Sequence, residues 1–102
     1  MPPSFHAGDY SAALPYLKAV PAIGTDDGDK VMAQLRKTRV NDMFMQNGWL
    51  REDGLMVHDM RLVQVKTPAE SQEPWDYYKV VQKLKGEDVF TTKAESRCAL
   101  WK

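Results

Sequence analysis

The stretch "GWLREDGLMVHDMRLVQVK" constrains the fold most, because a hairpin signal stands next to an unusually apolar strand. Asp53-Gly54 is a tight-turn dipeptide, so the stretch predicts a short strand, a turn and a long strand over residues 56–66. Side chains alternate along a strand, and both faces of this one are partly apolar. That pattern suits a sheet with helices on both sides and predicts an α/β fold. One face carries Val57, Asp59, Arg61, Val63 and Val65, and the other carries His58, Met60, Leu62 and Gln64.

A first helix is predicted within residues 5–23, where apolar residues recur at the spacing of one helical face. Pro15 removes a backbone donor and crowds the preceding turn, so the helix is either kinked there or begins later. Pro21 and Gly24 mark its predicted end. The apolar face consists of Tyr10, Ala13, Leu14 and Leu17.

A second helix is predicted over residues 27–37, with Thr25 and Asp26 as candidate N-caps. Acidic residues begin this segment and basic residues end it, which suits the helix dipole at both termini. Its aspartates lack the ligand spacing of an EF-hand loop, so they indicate helix capping rather than calcium binding. The charged residues are Asp27 and Asp29 at the start, and Arg36, Lys37 and Arg39 at the end.

After the hairpin in the sequence, "KTPAESQEPWDYY" is a proline-rich polar connector, which we interpret as a flexible linker. A further strand is predicted over residues 77–84, ending at a turn over residues 85–88, with a tail behind it. The layout is two helices, a hairpin, a linker and a strand. We therefore expect two parts, residues 1–66 and residues 67–102.

Charge and hydropathy exclude several classes of protein. Fourteen basic and fourteen acidic residues cancel without forming a block of one sign, which predicts no nucleic-acid partner. No apolar run reaches the roughly 18 residues of a membrane span, so no membrane insertion is expected. The opening "MPPSFHAGDY" lacks the basic and apolar regions of a secretory signal, so the chain as written is expected in the cytoplasm.

No residue pattern predicts an enzyme or a cofactor. His58 and Asp59 are adjacent on a strand, so their side chains are expected to point to opposite faces. With only His6, His58 and Cys98 available, no metal-binding spacing exists, and no intramolecular disulfide can form. We therefore assign no catalytic and no metal-binding residue. Five aromatic residues outside the helices are candidates for a ligand pocket or an interface, against the plainer interpretation that each is packed: Trp49, Trp75, Tyr77, Tyr78 and Trp101.

Several segments together resemble one known family. The segments are "HAGDYSAALPYLKAV.AIGTDDGDKVMAQLR", "VNDMF...G.LREDGLMVHDMRLVQVKTPAES", "PWDYYKV" and "AESRCAL". In order and spacing they resemble the C-terminal third of the solute-binding proteins of branched-chain amino acid ABC transporters. Pro15, Pro21, Trp49 and Arg61 depart from the family pattern.

The resemblance implies a partial type I periplasmic-binding-protein fold, in which two α/β lobes close around a small ligand across a hinge. Residues 1–66 would end the first lobe, and residues 67–102 would supply the third crossover and a strand of the second lobe. It also implies a periplasmic parent protein, an ABC permease as partner, and a leucine-like amino acid or an aromatic acid as ligand. Phe5 matches a position where the family places an aromatic beside the ligand, and His6 is the second choice.

Three functions remain open at this point. The first is a fragment of a solute-binding protein that does not bind ligand competently by itself. The second is a stand-alone interaction module that forms homo-oligomers, with residues 77–84 exchanged between copies in a strand-swapped dimer. The third is a small enzyme that uses His58 or Cys98.

Overall fold

The structure is a computed structural model that describes residues 3–99 and Trp101. Helices and strands are both present, as the predicted α/β class requires. The elements in chain order are α1 (Ser4–Ile23), α2 (Gly28–Lys37), β1 (Trp49–Leu50), β2 (Met56–Val57), β3 (Met60–Val65), β4 (Tyr78–Leu84) and α3 (Gly86–Val89).

Helix α1 runs as one helix through both of its prolines. The alternative of a later start is wrong, and the predicted end of the helix at Gly24 is confirmed. Gly24 ends it, since its positive φ of 68° lets its N–H turn back to the Val20 carbonyl at 2.9 Å. The buried residues of α1 include Ser11 and Ala19, and the helix packs against α2.

Helix α2 begins one residue later than predicted, and its cap differs. Asp27 is the N-cap, and its side chain accepts a hydrogen bond from the Lys30 amide at 3.1 Å. The prediction of Asp26 as cap is wrong, and Thr25 instead accepts from the Asp27 amide at 3.2 Å. The hydrogen bond to Thr25 orients Asp27, so Asp27 rather than Asp26 caps the helix. Val31 is the buried residue of α2.

The predicted hairpin is present but its second strand is interrupted. Strand β1 pairs antiparallel with β2, and Gly54 occupies the turn with a φ of 88°. The single strand predicted over residues 56–66 is wrong, because the chain leaves the ladder at His58 and Asp59. The Asp59 carboxylate accepts a hydrogen bond from the Gly86 amide at 3.1 Å and pairs with Lys83 at 3.0 Å. After this interruption the chain continues as β3, which pairs with β4 instead of β1.

Strands β3 and β4 form a two-stranded antiparallel ribbon. Six residue pairs define its register, which shifts at a bulge between Leu62 and Val63. The strand predicted over residues 77–84 is confirmed, with its first residue at Tyr78. The turn predicted over residues 85–88 is wrong, since α3 begins at Gly86 and adds one short helical turn.

The core is small for a chain of this length. The fold measures 52 × 35 × 18 Å, and its radius of gyration of 16.9 Å exceeds the about 13 Å of a compact domain this size. It exposes 8050 Å², roughly 2,200 Å² more than a compact monomer of equal mass. The chain is therefore extended rather than compact. The buried apolar residues are Ala19, Val31, Val40, Met45 and Val57.

The division at residue 66 stays a prediction. Strand β3 lies before that boundary in the chain and pairs with β4, which lies after it.

Within residues 3–99 and 101, no helix has the length and hydropathy needed to cross a bilayer.

Candidate functional site

An open groove of about 620 Å³ lies beside the first turns of α1, and we call it the N-terminal groove. Phe5 lines it and is 79% exposed, so its ring has no cover on the open side. His6 is also exposed but is not among the residues that line the groove. The lining residues used below are Phe5 on α1, Phe44 on the loop between α2 and β1, His58 and Asp59 between β2 and β3, and Arg61 on β3.

Phe44 and His58 form an aromatic wall of the N-terminal groove, and their rings are tilted against each other. His58 lies between Phe44 and Phe90, with ring centroids 5.3 and 5.6 Å away. Its Nδ1 lies 2.9 Å from the Asp59 backbone carbonyl. The Asp59 carboxylate bonds elsewhere, and hydrogen bonds from Lys83 and the Gly86 amide lower its pKa. His58 therefore has a packing role, and its ring and the Asp59 carboxylate have separate partners.

Asp42 fixes the loop that carries Phe44. Its Oδ2 accepts a hydrogen bond from Ser11 on α1 at 2.5 Å, and its Oδ1 accepts from the amides of Phe44 and Met45 at 2.8 and 2.9 Å. Desolvation raises the pKa of Asp42, but these three hydrogen bonds outweigh it and the pKa is lowered. The ionised carboxylate thus sets the distance between α1 and the aromatic wall.

Arg51 binds the C-terminal tail to the hairpin. Its guanidinium pairs with Asp53 through two nitrogens, at 2.8 and 2.5 Å, and donates to the Thr91 carbonyl at 2.9 Å. The Trp101 ring lies 3.7 Å from the guanidinium carbon, which is a close cation–π contact. Sequence reasoning missed this cluster, because its members are up to fifty positions apart and form no local pattern.

The other aromatic candidates have different surroundings. Arg39 lies over Trp49 at 5.5 Å, and Trp75 packs edge-on against Tyr77 at 6.1 Å while 58% of it stays exposed. None of these three aromatics lines the N-terminal groove. Cys98 is exposed, and within the described part of the chain no group of three potential ligands gathers to hold a metal ion.

The connector between β3 and β4 is fixed by ion pairs. Glu70 accepts hydrogen bonds from the Thr67 amide at 2.8 Å and hydroxyl at 2.9 Å, and pairs with Lys79 at 3.0 Å. Lys66 pairs with Asp76 at 2.6 Å. The Thr67 amide, Lys79 and the Thr67 hydroxyl together lower the pKa of Glu70 to about 2. The interpretation of this segment as a flexible linker is therefore replaced by an ordered loop.

Acidification is expected to loosen this loop. A depressed carboxyl pKa adds stability that is complete above the unfolded value of 4.5 and is lost as the pH falls through about 2. Amide exchange at Thr67, followed by NMR together with the Glu70 carboxyl shift, should show the loss between these two values. Glu70→Gln should abolish this pH-dependent loss of Thr67 amide protection. Glu73→Gln, in the same loop, is the control and should leave the loss in place. A Glu70 titration near 4.5 in the folded chain would contradict the prediction.

Comparisons with known proteins match this fold to part of a periplasmic binding protein. A family model described as periplasmic binding protein matches residues 1–72, and this chain belongs to that family. The predicted family relationship is thereby confirmed, and the family binds solutes rather than catalysing reactions. A search of curated proteins found no match.

Two solved structures are similar along the whole chain. One is a periplasmic binding protein from Burkholderia mallei, with 59% identity and a TM-score of 0.93. The other is a branched-chain amino acid ABC transporter periplasmic ligand-binding protein from Burkholderia xenovorans LB400, with 47% identity and a TM-score of 0.92. This chain is covered completely in both matches, but it spans only 27% of each solved chain.

Proposed function

We propose that this chain is a segment of the solute-binding component of an ABC importer, for branched-chain amino acids or related aromatic acids. The observation that carries the proposal is the match over the full chain, at TM-scores above 0.9, to binding proteins almost four times as long. One of those proteins is described as a branched-chain amino acid ligand-binding protein. In this proposal the assembled protein is periplasmic and delivers its ligand to an ABC permease.

The proposed ligand-binding residues are Phe5 and His6. Phe5 presents an uncovered ring to a groove that Phe44 and His58 also line. An apolar ligand side chain could pack between these surfaces, while the groove stays open on its other side. Small-molecule sites enclose most of the ligand surface, so a second lobe would have to close this side. We therefore propose that the chain alone does not form a competent site.

A chimera tests this proposal. The matching segment of the Burkholderia mallei protein would be replaced by this chain, and binding of leucine, isoleucine, valine and benzoate would be measured by calorimetry. We expect one of these ligands to bind within about tenfold of the unmodified protein, since the segments are 59% identical.

Phe5→Ala in that chimera is expected to weaken binding by about tenfold to a hundredfold, because the ring would lose its contact with the ligand. Tyr16→Ala, an exposed aromatic on the same helix outside the groove, is the matched control. Unchanged affinity in the Phe5 variant would remove this residue from the site. A folded chimera that binds none of the four ligands would overturn the proposed ligand class.

A second candidate function is the stand-alone oligomerising module. The observation that favours it is the large exposed apolar surface of the ribbon formed by β3 and β4. In a strand-exchanged dimer, β4 would pair with β3 of a partner copy. In the structure, β4 makes the same pairing with β3 of its own chain.

A further inference from the structure

One side-chain hydrogen bond joins helix α1 to the loop between α2 and β1. The Ser11 hydroxyl donates to Asp42 Oδ2 at 2.5 Å, across 31 positions of sequence. Ser11 is only 2% exposed, so its hydroxyl is shielded from water and depends on Asp42 as its partner. We call this contact the Ser11–Asp42 bond. Both of its partners lie within the chain, so the contact does not depend on any further segment.

Asp42 also shapes the loop to which it belongs. Its Oδ1 accepts from the amides of Phe44 and Met45 at 2.8 and 2.9 Å, and its own amide donates to the Met45 carbonyl at 2.9 Å. These three hydrogen bonds close a tight turn over residues 42–45. Met45 is 8% exposed and anchors this turn in the core. The turn therefore holds the Phe44 ring against His58, with ring centroids 5.3 Å apart.

The Ser11–Asp42 bond lies behind the N-terminal groove rather than in it, since neither partner is among the residues that line the groove. Ser11 follows Ala7 by four positions and Gly8 by three, so these three residues share one face of α1. Ala7 and Gly8 line the groove, as does Phe44 on the loop. The bond thus joins α1 to the loop where both elements contribute to the groove.

We propose that Ser11 and Asp42 are positioning residues of the N-terminal groove, which fix Phe44 relative to α1 and thereby set the affinity for the ligand. The inference rests on the proposed function, in which this groove receives the ligand side chain. A site binds tightly when its walls are held in place before the ligand arrives. Without the Ser11–Asp42 bond, ligand binding would have to restore the position of the loop, and affinity would fall by up to the free energy of the lost contacts.

NMR spectroscopy of the 102-residue chain at one fixed pH tests this geometry without a ligand. The Phe44 ring current shifts the resonances of the His58 ring protons, because the two rings pack together. Asp42→Ala removes three side-chain hydrogen bonds and should move these resonances. Ser11→Ala keeps the turn and favours the helix, so it should move them less, and it decides the matter if Asp42→Ala unfolds. Unchanged His58 resonances in every folded variant would overturn the proposal.

Calorimetry of the chimera tests the affinity. Asp42→Ala should weaken binding by about tenfold to a hundredfold, and Ser11→Ala by about tenfold, as for lost hydrogen bonds to a charged group. Asp42→Asn should bind within about threefold of the unmodified chimera, because its carbonyl oxygen still accepts from both amides and its NH₂ group can donate to Ser11. Asp27→Ala is the matched control, since it removes the N-cap of α2 away from the groove and should lower stability without changing affinity.

Full affinity in the Asp42→Ala chimera would overturn the positioning role. So would an Asp42→Asn chimera that binds as weakly as Asp42→Ala, since charge rather than hydrogen bonding would then control binding. If the unmodified chimera binds none of the four ligands, the proposed function fails. The His58 resonances of the chain still decide in that case whether the Ser11–Asp42 bond positions the aromatic wall.

Discussion

The 102-residue chain by itself is expected to bind leucine or benzoate no more tightly than a dissociation constant of about 1 mM. Its N-terminal groove is open, and the Phe5 ring at its rim is 79% exposed. High-affinity small-molecule sites bury most of the ligand surface between preorganised walls, and a half-open groove leaves one side of the ligand in water. Weak binding follows from this geometry even if every residue of the segment is correctly placed.

The chimera with the rest of a binding protein is expected to bind at least about a thousandfold more tightly, which corresponds to about 4 kcal/mol. Calorimetry of the chain and the chimera against the same ligands gives this ratio directly. Equal affinities would contradict the prediction. Micromolar binding by the chain alone would mean that it builds a closed pocket without a second lobe, and a dimer detected at the same concentration would identify how.

Elements with local signals were predictable from the sequence. The Asp53-Gly54 turn joins two paired strands as expected, because its backbone preference acts within four residues. Helix α2 was also predictable, since its acidic start, its apolar stripe and its basic end all lie within one short segment. Strand β4 was found within one residue of its observed start at Tyr78.

The main error in the predicted strands occurred where the structure depends on residues far apart in the sequence. A continuous strand over residues 56–66 was a reasonable prediction from side-chain alternation alone. The strand is interrupted because Asp59 bonds the Gly86 amide, twenty-seven positions away, and no local pattern contains this contact. Asp27 replaced the predicted cap for a smaller reason, since a hydrogen bond from its own amide to Thr25 favours it over Asp26.

The candidate site was only partly predictable for the same reason. Phe5 and His6 were proposed from the family resemblance, and their role stays a prediction, although the structure places Phe5 at a groove. The aromatic wall of this groove is formed by Phe44 and His58, and Phe90 packs edge-on against His58, so three separate segments contribute. Only the folded chain brings these rings together, so neither composition nor spacing could have indicated them.

Gly86→Ala is expected to destabilise the chain by about 1 to 3 kcal/mol, the usual cost of overpacking. Gly86 is buried against the Val57 side chain and the His58 backbone, at the end of β2. A Cβ atom there would lie 2.5 Å from the His58 carbonyl oxygen and 2.8 Å from its carbon. Those are backbone atoms that cannot rotate away, so α3 would have to shift.

That shift would have a second cost. The Gly86 amide donates to the Asp59 carboxylate at 3.1 Å, and this contact fixes the point where the chain leaves the hairpin. Moving α3 would lengthen this hydrogen bond, so Asp59 would no longer be held in place between β2 and β3. The substitution therefore combines a steric clash with the loss of a charge-assisted hydrogen bond, which places its effect above that of a typical surface change.

Urea denaturation at matched protein concentration measures the effect, since any dimer makes stability depend on concentration. Gly8→Ala is the control, because a Cβ atom at Gly8 meets nothing within 4 Å. That substitution lies within α1 and should stabilise the chain by about 0.5 to 1 kcal/mol, since alanine favours helix over glycine. The two glycine variants are thus expected to move the unfolding midpoint in opposite directions. An unchanged midpoint for Gly86→Ala would show that α3 is free to move away from His58, and the tight crossing would not contribute to stability.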